Sequence, residues 1–171
     1  GHVRIYTWNG VAWIQLGDDI NGEEMNDVSG HSVSLSSDGT TVAVGAPYND
    51  GNSGNFSDNR GHVRIFSWDG VSWTQLGDDI NGEAAGDNSG WSVSLSSDGE
   101  KVAIGAYMNN GNGSGSGNVR SFTWDGSAWL QLGSNINGEA AFDQSGRCVS
   151  LSPDGSTVAI GGHLNDGNGT N

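Results

Sequence analysis

A segment that occurs three times in this chain restricts the possible folds more than any other sequence feature. The copies occupy residues 1–60, 61–116 and 117–171, and they begin GHVRIYTWNG, GHVRIFSWDG and GNVRSFTWDG. Equivalent segments are expected to adopt equivalent local structures, so the fold must place similar units side by side. We therefore treat residues 1–171 as one repeat array, and we expect it to be part of a larger ring, a filament or a longer chain.

Each copy contains four candidate strands and no helical pattern. In the first copy these are Val3–Trp8, Trp13–Leu16, Ser32–Ser36 and Thr41–Ala46. They are rich in β-branched and aromatic residues, and Asn-Gly or Asp-Gly turns join the two members of each pair. Four strands in a unit of this length predict an all-β fold, namely a β-propeller built of four-stranded antiparallel blades.

The sizes of the side chains predict how the strands are distributed over a blade. The Ser, Ala and Gly residues of Ser32–Ser36 and Thr41–Ala46 suit inner strands close to a central axis. The bulkier strands Val63–Trp68 and Trp73–Leu76 suit the outer part of the same blade, although they belong to the next copy. This distribution leaves a half-blade at each end of the array. We expect the two half-blades to join head to tail with those of another copy, and a longer parent chain with more blades is the alternative.

A resemblance to a known family rests on the segment DVSGHSVSLSSDGTTVAVGAP, residues 27–47. It resembles the FG-GAP repeats of integrin-α-type propellers, and most of all the bacterial type with Trp-rich outer strands. The resemblance extends over all three copies and implies a β-propeller in an extracellular or cell-surface setting, with a role in adhesion or recognition. Family members often hold calcium between the two inner strands. Here that loop is only residues 36–39, which is too short to enclose a cation.

The charge of the chain excludes some classes of partner. Twenty Asp and Glu residues against six Lys and Arg give a formal net charge of −14. Such a chain has no basic patch for a nucleic-acid backbone, and an anionic membrane surface would repel it. Its apolar runs are too short to span a bilayer, so we expect no membrane insertion. Cys148 is the single cysteine, which excludes a disulfide within the sequence.

The motif GDDINGE is the best candidate metal site in the sequence. It offers oxygen ligands at alternate positions in the first two copies: Asp19, Asn21 and Glu23, and then Asp79, Asn81 and Glu83. Ca²⁺ prefers such ligands, so a calcium site is one interpretation. The other is that these side chains cap a turn through hydrogen bonds to backbone N–H groups. Because Asn135 replaces the Asp in the third copy, we expect that no cofactor is required for folding.

A variable position predicts a binding face. His31, Trp91 and Arg147 occupy the same place in the three copies, beside the start of an inner strand. A position that changes so much is expected to be exposed, and it is where binding of a glycan or a protein would be determined. The six other tryptophans recur as pairs, and we interpret them as packing between neighbouring blades, with sugar-stacking platforms as the alternative: Trp8 and Trp13, Trp68 and Trp73, Trp124 and Trp129.

Recurring cations predict a buried ion pair in each blade. Arg4, Arg64 and Arg120 share one strand position, and Glu23 and Asp27 recur with them. A partly buried guanidinium paired with a carboxylate is the structural interpretation, and recognition of an anionic ligand is the alternative.

Three Asn-x-Ser/Thr sequons fall in the same Gly-rich loop of the three copies, at Asn55, Asn112 and Asn168. They predict attachment of surface glycans, although Asn, Gly, Ser and Thr are also the ordinary composition of loops.

No arrangement of residues in the sequence predicts catalysis. Serines are abundant, but none lies in a nucleophile elbow, and adjacent carboxylates such as Asp18 and Asp19 are weak support for glycosidase chemistry. The sequence therefore predicts a non-enzymatic structural or adhesive module whose main partner is another copy of itself. A propeller that binds carbohydrate or protein is the first alternative. A glycoside-acting enzyme is the second, and it would need a pocket with two facing carboxylates.

Overall fold

The computed structural model describes residues 1–51 and 57–167, and its regular structure is almost entirely β-strand. The strands of the first copy are β1 His2–Val3, β2 Tyr6–Trp8, β3 Trp13–Gln15, β4 Ile20–Asn21, β5 Ser32–Leu35 and β6 Thr41–Ala46. Those of the second are β7 His62–Trp68, β8 Trp73–Gln75, β9 Ile80–Asn81, β10 Ser92–Leu95 and β11 Lys101–Ala106. Those of the third are β12 Asn118–Trp124, β13 Trp129–Gln131, β14 Ile136–Asn137, β15 Cys148–Leu151 and β16 Val158–Gly161. The predicted all-β class is confirmed.

Two larger antiparallel sheets each combine strands from two sequence copies. One has the order β5-β6-β7-β8 and the other the order β10-β11-β12-β13. Strand β6 of the first copy pairs with β7 of the second from Thr41 opposite Ser67 to Ala46 opposite His62. Strands β11 and β12 pair in the same register, across the boundary between the second and third copies. The boundary between two copies therefore lies inside a sheet, where the distribution of small and bulky side chains indicated it.

The tract between the outer and inner strand pairs contains a short strand that the sequence pattern did not predict. Val63 pairs with Ile80, so that β9 lies beside β7 as a fifth strand of its sheet. Strand β14 lies beside β12 in the same way. Each of these strands has only two residues, which is too short to show the alternation by which strands are recognised in a sequence.

The outer strands of the first copy also differ from the expected Val3–Trp8. They form two separate strands, β1 and β2, whereas β7 and β12 are continuous. Strands β7 and β12 pair with an inner strand, β6 and β11 respectively, along six of their seven residues. In the described part of the chain, β1 pairs only with β4, and β2 pairs only with β3.

Serines on the inner strands connect each sheet to the next one. Ser32 Oγ donates to the Gly90 carbonyl at 2.7 Å, and Ser92 Oγ donates to the Gly146 carbonyl at 2.8 Å. In the other direction, the Leu95 backbone N–H donates to Ser34 Oγ at 2.9 Å. These contacts place β5, β10 and β15 side by side. The polar positions of these strands are therefore contacts between neighbouring sheets, which is consistent with a propeller-like arrangement.

The apolar core lies between neighbouring sheets. One cluster of buried residues joins the two larger sheets: Ala43, Val63, Ile65, Ile80, Val93, Leu95, Val102, Ile104 and Phe122. A second cluster joins the N-terminal strands to the first larger sheet: Ile5, Ile20, Val42, Val44 and Phe66. Each sheet thus depends on its neighbours for burial of its faces. Within residues 1–51 and 57–167, no helix is long and apolar enough to span a bilayer.

Buried aspartates hold the long loops in all three copies. Asp27 Oδ2 accepts hydrogen bonds from Asn49 Nδ2 at 2.9 Å and from the Glu24 backbone N–H at 3.3 Å. Asp87 and Asp143 accept the equivalent bonds from Asn109 and Asn165. The sequence had suggested Asp27 as a partner of the recurring arginine. This carboxylate instead accepts hydrogen bonds from the Asn49 amide and from the loop backbone, since Asn49 lies in the turn that follows β6.

Truncation of the core should destabilise the chain far more than truncation of the surface. Ile104 is 1% exposed between the two larger sheets, whereas Val71 is 83% exposed in a turn. We expect Ile104→Ala to lower the free energy of unfolding by about 2–5 kcal/mol. The matched control Val71→Ala should change it by less than about 0.5 kcal/mol. Urea unfolding followed by circular dichroism measures both, and equal effects would contradict this description of the core.

Candidate functional site

Three features of the structure are candidates for function: the two ends of the array, an aromatic cluster beside the ends of the inner strands, and a cluster of His62 with two carboxylates. The ends are recognised by a difference in burial between equivalent residues. Val93 and Leu95 on β10 are 9% and 7% exposed, whereas their equivalents Val33 and Leu35 on β5 are 53% and 49% exposed. The same apolar pattern is therefore covered in the middle of the array and open at its N-terminal end.

The C-terminal end shows the complementary difference. Ile80 is 6% exposed in the core, whereas its equivalent Ile136 in the third copy is 43% exposed. Ile80 shares its cluster with Phe122 of the next copy. Tyr6, the equivalent of Phe122, is 43% exposed at the other end of the array. Each end thus exposes one member of an apolar contact that is complete in the middle.

The tryptophans of the outer strands show the same difference between the middle and the ends of the array. Trp73 Nε1 donates to the Leu16 carbonyl, and Trp129 Nε1 donates to the Leu76 carbonyl, both at 2.8 Å. These bonds join neighbouring sheets, as the packing interpretation of the tryptophan pairs predicted. Trp13, the first member of the series, is 66% exposed. Leu132, whose carbonyl is equivalent to those of Leu16 and Leu76, is 41% exposed.

The arginines show the same difference between the middle and the end. Arg64 donates to the Asn21 carbonyl at 2.8 Å and lies over the Phe66 ring, with its side chain 8% exposed. Arg120 donates to the Asn81 carbonyl at 2.7 Å in the same way. Arg4 is exposed. A groove of about 410 Å³ beside Asn137, which is equivalent to Asn81, includes Glu139 and Asp143 in its lining.

We name the two ends by their residues. The head surface consists of β1 and β2 with Arg4, Tyr6, Trp13, Val33 and Leu35. The tail surface consists of β16 with Leu132, Ile136, Asn137, Glu139 and Asp143.

The predicted variable position forms one cluster. The rings of His31 and Trp91 have centroids 4.3 Å apart, and the rings of Trp91 and Tyr107 have centroids 4.4 Å apart. The Arg147 guanidinium lies over Trp91 at 5.0 Å and over Tyr107 at 4.8 Å from the ring centroids. Burial raises the pKa of Tyr107. The structure thus brings all three predicted residues together with a tyrosine, and the ring of Trp91 contacts both His31 and Arg147.

The third feature is a contact between two copies. His62 Nδ1 lies 3.8 Å from Glu23 Oε2 and 3.7 Å from Asp79 Oδ2. The His62 side chain is 2% exposed, whereas those of Glu23 and Asp79 are 43% and 28% exposed. Burial lowers the pKa of His62. Burial and the nearby Asp79 carboxylate raise the pKa of Glu23. In the part of the chain that the structure describes, this is the one group of three His, Cys, Asp or Glu side chains close enough to share a metal ion.

The residues of the GDDINGE motif thus have a different arrangement from the single site that the sequence hypothesis proposed. Glu23 faces Asp79 of the next copy, whereas Asp19 lies 3.9 Å from His2 and accepts a hydrogen bond from Gln15. Asn21 and Asn81 provide the backbone carbonyls that bind Arg64 and Arg120. Glu83 accepts hydrogen bonds from the Asn118 and Asn135 amides. Sequence reasoning missed His62. Its one signal there is that Asn replaces both His62 and Asp79 in the third copy.

The sequons fall partly outside the described residues. Asn55 and Asn168 lie outside them. Asn112 Nδ2 donates to the Gly138 carbonyl at 3.0 Å and to the Glu139 carbonyl at 2.8 Å. A glycan on this nitrogen would replace one of these hydrogen bonds.

The short loop between the inner strands β5 and β6 is closed by hydrogen bonds among its own residues. Asp38 Oδ1 accepts from Ser36 Oγ at 2.6 Å and from the Thr40 backbone N–H at 2.9 Å. These bonds lower the pKa of the Asp38 carboxyl group. The carboxylate therefore closes the turn between β5 and β6.

Comparison with known proteins supports the resemblance found in the sequence. Residues 81–120, which run from β9 to β12, match the model of the FG-GAP repeat family. This segment is therefore similar to an FG-GAP repeat. The matched segment crosses from the second copy into the third, as the sheet does. No protein of curated function matches the chain in sequence.

The fold also resembles solved structures. One is the crystal structure of a protein described as a 6-phosphogluconolactonase from Bacteroides uniformis, with a TM-score of 0.61 and 13% sequence identity. The match covers 93% of this chain and 40% of that one, so this chain spans well under half of the longer structure. At this identity the likeness concerns the propeller-like fold alone.

The tryptophan contacts between sheets can be tested with a matched pair of substitutions. Trp73→Phe removes the indole N–H that the Leu16 carbonyl accepts, and we expect a loss of at least about 1 kcal/mol in the free energy of unfolding. The equivalent Trp13→Phe affects an exposed ring and should change the stability of the single chain by less than about 0.5 kcal/mol. Denaturant unfolding of dilute protein measures both, and a larger effect at Trp13 would refute the difference between the middle and the end.

Proposed function

We propose that the chain is a non-enzymatic structural or adhesive module of an extracellular surface, whose repeats join head to tail. The observation that carries this proposal is that residues exposed at the two ends of the array have buried equivalents in its middle. Residues such as Leu35 and Ile136 are 49% and 43% exposed, whereas Leu95 and Ile80 are 7% and 6% exposed. The head surface and the tail surface are the two sides of a contact that the chain already makes within itself.

The register of the proposed joint follows from the pairing of β11 with β12. There Val102 lies opposite Phe122, and Ile104 lies opposite Arg120. The equivalent positions place Val158 of one copy opposite Tyr6 of a second copy. They also place Ile160 opposite Arg4, so that β16 completes the sheet that begins with β1 and β2. Both strands have unpaired backbone groups along this edge, which neighbouring strands normally satisfy.

Side-chain contacts support the same register. Ile136 would pack against Tyr6 of the second copy, as Ile80 packs in one cluster with Phe122. Trp13 Nε1 would donate to the Leu132 carbonyl, as Trp73 donates to that of Leu16. Arg4 would enter the groove beside Asn137, where Glu139 and Asp143 provide the opposite charge. Apolar, hydrogen-bonding and charged groups are therefore all matched in one arrangement.

A joint of this kind is heterologous, so it must either close or continue. Two copies would form a ring of six sheets, and propellers commonly have four to eight. An imperfect closure would give a filament. Further repeats of the same type in a longer chain would offer the same surfaces, and they would build the same arrangement covalently.

The proposed setting and the absence of catalysis rest on the FG-GAP repeat. Such repeats typically occur in extracellular or surface proteins and are not enzymatic, which favours a module for adhesion or assembly. The likeness to the described lactonase is limited to the fold, and fold alone does not imply activity.

Two blocked variants test the head-to-tail joint. Leu35→Glu places a charge on the head surface and leaves the tail intact, whereas Ile136→Glu does the reverse. We expect the unmodified chain to assemble at micromolar concentration and each variant alone to remain a single chain. An equimolar mixture should form a pair that cannot extend, because only one intact head and one intact tail are present. Sedimentation velocity measures all four samples.

The control for this experiment is Val71→Glu, which adds the same charge at an exposed position outside both surfaces. This variant should assemble like the unmodified chain. An unmodified chain that remains single, or a mixture of blocked variants that forms no pair, would overturn the proposal.

A second candidate function is binding of a glycan or protein at the aromatic cluster. The observation that favours it is the meeting of His31, Trp91 and Arg147, which carry three different chemistries at equivalent positions, beside Tyr107. Aromatic rings with a polar edge and a guanidinium are typical of recognition surfaces.

A glycan array tests this second candidate. Saturable binding that is lost in Trp91→Ala and retained in Trp8→Ala would support it, because Trp8 is an exposed ring on the outer rim. Binding that is absent, or that both variants retain, would exclude the cluster as the site.

A further inference from the structure

The cluster of His62, Glu23 and Asp79 joins two sequence copies at one point. Glu23 comes from the loop after β4 of the first copy, whereas His62 begins β7 and Asp79 precedes β9 in the second. The His62 nitrogen and one oxygen of each carboxylate lie within 4.8 Å of one another. The distances from His62 Nδ1 to the two carboxylate oxygens, 3.7 and 3.8 Å, are longer than hydrogen bonds.

Each carboxylate is oriented by a contact of its other oxygen. Gln75 Nε2 donates to Asp79 Oδ1 at 2.7 Å, which leaves Asp79 Oδ2 directed at His62. Arg64 lies 3.8 Å from Glu23 Oε1, which leaves Glu23 Oε2 directed at the same nitrogen. Outer contacts that fix the orientation of ligands in this way are typical of metal sites in proteins.

The next pair of copies provides a comparison within the same chain. There Asn118 and Asn135 replace His62 and Asp79, and Glu83 replaces Glu23. Asn118 Nδ2 donates to Glu83 Oε2 at 3.2 Å, and Asn135 Nδ2 donates to the same oxygen at 2.7 Å. Two amide donors thus satisfy the glutamate. In the first pair of copies, the equivalent positions hold an imidazole nitrogen and a second carboxylate.

We propose that Glu23, His62 and Asp79 bind a divalent transition-metal ion of the Zn²⁺ class between the first and second copies. Zinc accepts imidazole nitrogen and carboxylate oxygen at about 2.0–2.2 Å, so three such ligands lie about 3.4 Å apart around one ion. The distances from His62 Nδ1 to the two carboxylate oxygens, 3.7 and 3.8 Å, are close to this value, and the two carboxylate oxygens lie within 4.8 Å of each other.

The chemistry of the ligands favours this class of ion over calcium. Ca²⁺ takes six to eight oxygen ligands, whereas imidazole suits zinc and related transition metals. A groove of about 240 Å³ is lined by Glu23 and Asp79, among others, and through it an ion would reach these two carboxylates. Water from this groove would complete the coordination.

Binding of the ion would connect the first copy to the second. Glu23 belongs to a loop of the first copy. His62 begins β7 of the second copy, and Asp79 directly precedes β9, which pairs with β7. The ion would therefore stabilise the contact of neighbouring sheets. This inference concerns residues of a single chain and does not depend on the head-to-tail joint.

Two double variants test the site, with Zn²⁺ as the probe. His62→Asn with Asp79→Asn copies the amide arrangement of the second pair and should lower the number of bound ions per chain by one. Asn118→His with Asn135→Asp copies the proposed site onto Glu83 and should raise it by one. Isothermal titration of the full chain after chelation measures the number and the affinity. Thermal unfolding in chelator should show that both variants remain folded.

A spectroscopic readout separates this site from adventitious binding at other histidines. Co²⁺ in the unmodified chain should give visible absorption bands that His62→Asn removes. The control His163→Asn changes a histidine outside the cluster and should retain these bands. Zn²⁺ should raise the midpoint of thermal unfolding, and chelator should reverse the change.

Three results would overturn the proposal: no Zn²⁺ binding at micromolar concentration, an unchanged number of ions in both double variants, or tighter binding of Ca²⁺ than of Zn²⁺.

Discussion

Antiparallel pairing of β6 with β7 joins two sequence copies inside one sheet, and the arrangement of core and ends depends on this pairing. Because the inner strands come from one copy and the outer strands from the next, a single copy does not form a complete sheet. The apolar clusters lie between neighbouring sheets, so a sheet also requires neighbours on both faces. An array built in this way has two incomplete ends of opposite kind, one with outer strands and one with inner strands.

The spacing of the sheets is set by hydrogen bonds from small residues on the inner strands. Ser34 and Ser94 accept backbone N–H groups of the following sheet, whereas Ser32 and Ser92 donate to backbone carbonyls of that sheet. A side chain bonded to a neighbouring backbone fixes both the distance and the register of two sheets. Larger residues at these positions would separate the inner strands, which explains why the six paired tryptophans lie on the outer strands. There Trp73 and Trp129 donate hydrogen bonds to backbone carbonyls of the preceding sheet.

Much of this architecture could be predicted from the sequence because the repeats present each strand three times. The β-branched runs, the Asp-Gly turns and the contrast between small and bulky strands indicated the order of strands within each sheet. Two-residue strands such as Ile80–Asn81 were missed, since their pairing depends on a neighbouring strand and leaves no local pattern. The contact of Asp27 with Asn49 and the meeting of Glu23 with His62 join residues far apart in sequence. In the sequence, only the replacement of both His62 and Asp79 by Asn118 and Asn135 indicated the contact of Glu23 with His62.

The replacement of His62 and Asp79 by Asn118 and Asn135 also explains why the contact between the first and second copies differs in charge from the contact between the second and third. Between the second and third copies, the Glu83 carboxylate lies in the field of the buried Arg120, and amides provide its hydrogen bonds. Between the first and second copies, Arg64 is near Glu23, and Asp79 adds a second carboxylate close by. Two carboxylates with one guanidinium leave an excess of negative charge beside a buried imidazole. Partly buried charge of one sign is costly unless a counter-charge compensates it. Asp79, which Asn135 replaces at the second contact, therefore adds negative charge at the first contact and favours a cation there, although both contacts share one backbone arrangement.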